Sequence, residues 1–160
     1  EKLNLENLVA EIKEREKAFK QDTVVNSGKG VLLMEAYVAY AKRFNNRENA
    51  DEYLFKAGEV AMSENLTVEA IRNLKRLYDE YPLYEKRANG LFLLGFVQEN
   101  NAKNLDEAKR IYELFLLEFP NHDLADAARA SIEYLGVPPE EMIREFERKD
   151  SLARANQEPA

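Results

Sequence analysis

The chain has no cysteine, no tryptophan and a single histidine in 160 residues. Without cysteine there is no disulfide, no thiolate metal ligand and no thiol nucleophile. One imidazole cannot build a multi-histidine metal site, and His122, in "PNHDLAD", has no histidine partner three or four residues away. No apolar run approaches the roughly 18 residues of a membrane span. Basic stripes are missing as well. Lys and Arg number 23 against 30 Asp and Glu, a net charge of −7, which is not the footprint of a nucleic-acid binder. Nor does any helical stretch set Lys and Arg on one face and aromatics on the other, as a membrane-surface helix would. What is present, 45% hydrophobic and 33% charged residues, suits one soluble, globular domain with a real core. The chain begins with Glu1 rather than Met, as it would if an export signal or lipid anchor upstream had been removed.

The same phrase stops the chain three times. "RLYDEYP" ends at Pro82, "LFLLEFP" ends at Pro120, and Phe44-Asn45 closes "VLLMEAYVAYAKRF". The aromatics stand at 44, 81 and 119, spaced 37 and 38 residues apart. Ala70 and Ala108 each lie twelve positions before a proline, and Leu74 and Tyr112 follow four residues later. Gly58 and Gly95 sit upstream. Helical spacing agrees: Val68, Ile71, Leu74, Leu77, Tyr78 and Tyr81 share one face of 68–81, and Ala108, Ile111, Tyr112, Phe115 and Phe119 one face of 106–119. Partner helices fall at about 51–64 and 87–100, with Thr67 and Asp106 as N-caps of the second helices. Proline lacks an amide hydrogen and disfavours helical geometry in the residue before it, so the second helix stops there. A repeated stop means a repeated unit, and such units bury their apolar faces by stacking.

These residues resemble the tetratricopeptide repeat family. Its Leu-Gly, Ala-x3-aromatic, Pro pattern falls as Ala57-Gly58, Ala70, Leu74 and Pro82, then as Leu94-Gly95, Ala108, Tyr112 and Pro120. Departures are Leu54 and Leu91 at the tryptophan position, Ala61 and Gln98 at the tyrosine position, and Leu74 for an aromatic. The resemblance implies an all-α, right-handed solenoid of about three antiparallel helix pairs plus a C-terminal capping helix. We expect one domain over residues 1–150, with units of about 3–46, 51–84 and 88–122 and terminal helices at 123–149. A polar, disordered tail is expected at 151–160. Leu5, Leu8, Ile12 and Phe19 form the stripe of the first helix. In the last, opened by Pro138-Pro139, we expect Met142, Ile143 and Phe146 to face inward.

In that family, first-helix positions two, five, nine and twelve line a concave groove. Counted from Asp51 and Ala88 they are Glu52, Phe55, Glu59 and Met62, then Asn89, Phe92, Phe96 and Glu99. The aromatics read equally as packing between helices. Some members clamp a partner's C-terminal carboxylate with groove Lys and Asn; the Phe and Glu here disfavour that mode. The implied role is a non-enzymatic protein–protein interaction scaffold with a protein or peptide partner, a monomer without cofactor or metal. Similarity to small bacterial envelope repeat proteins implies the periplasm or an outer-membrane anchor, with the cytoplasm as the alternative. An outer-membrane assembly lipoprotein subunit and a self-associating structural protein are the alternative roles.

Two motifs invite other chemistry. "NSGKGVLLM" suggests a phosphate loop, but Thr23 stands where its first glycine is required, and Gly30 rather than Ser or Thr follows Lys29. The carboxylates of "EEMIREFE" and "YELFLLEFP" fit solvated helix faces, and no pair is singled out for acid–base work. Neither ATP with magnesium nor zinc is therefore expected to raise the melting midpoint, since a ligand of the native state alone must stabilise it. A dose-dependent rise with either would restore the Gly28–Gly30 turn or His122 as a site.

Overall fold

A computed structural model describes residues 2–24 and 27–156. Eight helices occupy the described residues: α1 (Lys2–Lys20), α2 (Lys29–Arg43), α3 (Ala50–Ser63), α4 (Thr67–Glu80), α5 (Arg87–Asn100), α6 (Leu105–Glu118), α7 (Ala125–Glu133) and α8 (Pro139–Ala155). From α1 to α7 each helix packs on the next, giving an all-α helical-repeat solenoid. Ile12 of α1 is fully buried in the core, and Leu5, Leu8 and Phe19 pack against the same core partly buried.

The joints between units repeat atom for atom. Phe44, Tyr81 and Phe119 end α2, α4 and α6 with φ of −127°, −125° and −128° and ψ of 43°, 69° and 52°. The amides of Arg47, Tyr84 and His122 then donate to those residues' carbonyls at 2.9, 3.2 and 3.2 Å. Ala50, Arg87 and Ala125 donate in turn to the carbonyls of Arg47, Tyr84 and His122. Asn45 supports the same turn as Pro82 and Pro120. Proline thus enforces a bend that the packed aromatic, buried at Phe44 and half-buried at Tyr81 and Phe119, already fixes. Tyr81 also donates its hydroxyl to the Asn45 carbonyl at 2.9 Å, tying the second joint to the first.

Within a unit, the first helix meets the second through glycine. A Cβ on Gly58 would lie 2.6 Å from Leu74 Cδ2, and one on Gly95 would lie 2.8 Å from Tyr112 Cε1. Leu74 and Tyr112 are fully buried, as are Ala70 and Ala108 one turn earlier. Asn73 is a polar side chain at a core position whose repeat equivalents, Ala36 and Ile111, are apolar; it is buried and its Nδ2 has no hydrogen-bond partner among the described residues.

Four expectations need correction. Val68 is exposed, because it sits in the first turn of α4, short of the packed stripe. The N-caps are Leu66 and Asn104, the latter accepting from the Glu107 amide at 3.2 Å; Thr67 and Asp106 lie inside their helices. The last helix runs past residue 149 to Ala155, held by Arg154–Asp150 at 2.7 Å and a Ser151 hydroxyl donated to the Glu147 carbonyl, so residues 151–155 are helical. Residues 157–160 of the expected tail lie outside the described residues. Finally, α8 buries no residue: Ile143 and Phe146 are 57% and 53% exposed rather than inward.

Gly95→Ala tests the close approach. Alanine gains about 1 kcal/mol of helix propensity over glycine, but the buried Tyr112 ring cannot yield, and overpacking costs roughly 1–3 kcal/mol. We expect a net loss of stability in urea unfolding. Gly90→Ala should be milder, since its Cβ would meet one methyl of Leu77 at 2.8 Å and nothing else nearer than 3.8 Å. The reverse order would contradict this packing.

Candidate functional site

The eight expected groove residues form four repeat-equivalent pairs, each 37 residues apart: Glu52 and Asn89, Phe55 and Phe92, Glu59 and Phe96, Met62 and Glu99. The fold separates the pairs by burial. Phe55 is only 7% exposed, with Tyr84 at 6.1 Å between ring centroids and the Lys86 ammonium 5.4 Å from its centroid. Phe92 is half-buried against Tyr112 at 5.6 Å and Phe115 at 5.8 Å. Position five therefore packs. Position nine faces water: Glu59 is exposed and Phe96 is 41% exposed.

Positions two and twelve are half-buried, and both glutamates there have internal partners. Glu52 accepts from the Tyr84 hydroxyl and from Lys86 Nζ at 3.4 Å. Glu99 accepts from the Tyr112 hydroxyl at 2.9 Å. Burial and these carboxylates push both tyrosines well above the ordinary tyrosine value, so each stays a donor. Asn89 and Met62 are half-buried, and Met62 packs on the core. Sequence reasoning missed Tyr84 and Lys86, which come from the joint rather than from a groove helix. It also missed a coupled exchange: Tyr112 with Glu99 in one unit stands where Leu74 and Met62 stand in the other.

The two carboxylates of the middle unit are driven in opposite directions. For Glu52, burial opposes ionisation, but the Tyr84 hydroxyl and Lys86 ammonium outweigh it and hold the carboxyl below its usual value. For Glu59, lost hydration, with Glu52 adding to it, prevails over the pull of Lys86 and Lys56 and raises the carboxyl above its usual value.

The helix after the third joint, α7, continues the row. Counting nine residues on from Ala50, Arg87 and Ala125 gives Glu59, Phe96 and Tyr134. Tyr134 borders a cavity of about 590 Å³ together with Glu99, Lys103, Leu105, Val137 and Met142. A larger cavity of about 870 Å³ lies at the first two joints; it is lined mainly by polar groups including Asn45, Glu48, Asp51 and Glu85, and it takes in Glu52 with Tyr84 and Lys86. His122 is half-buried within the third joint, where Nδ1 accepts from the Leu124 amide at 3.1 Å and the ring stands edge-on to Phe115. Among the described residues no group of three or more acidic or histidine side chains is placed to hold a metal ion.

Residues 90–122, which span most of α5, all of α6 and the following joint, match the family model described as tetratricopeptide repeat. The chain carries a tetratricopeptide repeat. The unit of α3 and α4 repeats its glycine contact and its closing turn. No curated protein matches the chain.

The two carboxylates generate a pH test of opposite sign. Glu52 contributes stability that is present above the unfolded glutamate value of about 4.3 and lost as pH falls through its lower folded value. Glu59 does the reverse, opposing folding once pH rises through its raised value. At pH 7 Glu52→Gln should therefore lower the urea midpoint and Glu59→Gln should raise it. Both differences should shrink as the pH is taken below about 4. A Glu59→Gln variant less stable than wild type at neutral pH would show that its carboxylate is held by a favourable contact.

Proposed function

We propose that this protein is a non-enzymatic interaction scaffold of the bacterial cell envelope, taking a segment of a partner protein along the face of its first helices. The observation that carries the reading is Phe96, a 41% exposed phenylalanine held on a rigid helix and equivalent by repeat to exposed Glu59. The tetratricopeptide repeat at 90–122 supports a protein partner. Rigid aromatics that become buried dominate interface energetics. Half-buried Met62, Asn89 and Phe92 are the other groove positions left partly accessible, whereas Phe55 belongs to the packing. Glu52 and Glu99 are engaged with Tyr84 and Tyr112, which leaves Glu59 as the groove carboxylate open to a partner's Lys or Arg.

The envelope placement rests on the sequence similarity; among the described residues no helix is long and apolar enough to cross a membrane. Burying one phenylalanine is worth roughly 1.5–3 kcal/mol, so Phe96→Ala should weaken capture of partners from an envelope extract about tenfold or more. Glu59→Lys should act through association rate and salt dependence. Melting midpoints run in parallel distinguish lost binding from lost fold. Partners retained in full by a stably folded Phe96→Ala protein would remove the groove as the site, and partners recovered only from cytosol would remove the envelope placement.

A further inference from the structure

The last helix does not stack as α2, α4 and α6 do. Close helix-on-helix packing ends at α7, and α8 reaches the body through few side chains. The Phe146 ring lies 5.5 Å from that of Tyr134, tilted by 38°. One turn on, Lys149 Nζ stands 3.3 Å from the Tyr134 hydroxyl and 3.6 Å from Glu133 Oε1. Met142 enters the cavity of about 590 Å³ bounded by Glu99, Lys103 and Val137. These contacts converge on Tyr134, the position-nine residue counted along α7 after the third joint. The row that is exposed at Glu59 and Phe96 is thus occupied at its C-terminal end by the chain itself. The hold is shallow, because α8 buries no residue and leaves Ile143, Phe146 and Leu152 at least half exposed.

The geometry points to α8 being a tethered, displaceable ligand of the groove's C-terminal end, and to a partner of the same chemistry: an amphipathic helix with an aromatic residue and a lysine one turn apart. This deepens the groove reading and rests on it. The aromatic seats on a position-nine aromatic, Tyr134 in the docked state and Phe96 one unit earlier. The lysine meets the acidic group beside that aromatic, as Lys149 of α8 meets Glu133. A partner helix reaching Tyr134 displaces α8, so α8 sets a threshold affinity for entry.

The test uses the full chain and a synthetic peptide of residues 138–156 as the probe, read by fluorescence anisotropy. In the variant Phe146→Ala/Lys149→Ala the tethered helix loses its anchors. If α8 is docked about nine-tenths of the time, wild type binds the peptide about tenfold more weakly than this variant. Adding Tyr134→Ala to the variant should abolish that binding, and a peptide carrying the Phe146→Ala and Lys149→Ala changes should bind neither protein. Hydrogen exchange should quicken in 139–155 of the variant while α3 to α6 keep their protection and the melting midpoint holds. Equal peptide affinities for the two proteins, no binding to either, or unchanged exchange in α8 would overturn the inference. A native partner that depends on Phe96 while the peptide binds nothing would sink this inference alone. Peptide binding through Tyr134 with native partners indifferent to Phe96 would sink the groove reading alone.

Discussion

Two helices can come close enough to share a buried leucine or tyrosine only where one of them presents no side chain at all. Gly58 beneath Leu74 and Gly95 beneath Tyr112 meet that condition in successive units. The contact fixes both the separation and the rotation of each first helix against its second. Once that rotation is set, position five points into the packing and position nine out of it, in both units alike. The division between packed Phe55 and Phe92 and exposed Glu59 and Phe96 follows from that glycine contact in each helix pair.

The face so displayed is less acidic in effect than its composition suggests. Glu52 and Glu99 turn toward tyrosine hydroxyls supplied by the joint and by α6, and they act as parts of the scaffold. Glu59 is exposed and has no hydrogen-bond donor of its own among the described residues. The middle of the face therefore combines one aromatic and one unsettled carboxylate, while its C-terminal end carries a borrowed helix. Binding there would exchange an intramolecular aromatic and lysine contact for an intermolecular one.

The sequence made the repeat legible because the period is carried by residues with no substitute: glycine at the crossing, alanine beside it, an aromatic at the stop. Those signals are local and recur, so units and helices could be placed before any coordinates. The groove was legible only by position. Which of its residues are free depends on Tyr84, Lys86 and Tyr112, whose approach is set by tertiary packing rather than by spacing. For α8 the amphipathic pattern grouped Met142, Ile143 and Phe146 on one face but could not say whether anything stands opposite it. Met142, Ile143 and Phe146 line up in sequence as a core stripe and find only Tyr134 and a cavity. Asn73 went unremarked for a related reason, since a lone amide in a polar-rich helix looks like a surface residue until its neighbours close over it.

The joints that follow α2, α4 and α6 span residues 44–49, 81–86 and 119–124, six residues each time. Between the two helices of a unit the chain runs for eight residues after α1, three after α3 and four after α5, no two alike. One rim of the molecule is therefore a fixed hinge line, where an added residue would break a hydrogen-bonded turn that seats an aromatic and aligns the next unit. The opposite rim tolerates changes of length without disturbing the stack, as its own variation records. New loops, epitopes or fused modules belong on that second rim, and the protein can diversify there while keeping its scaffold unchanged.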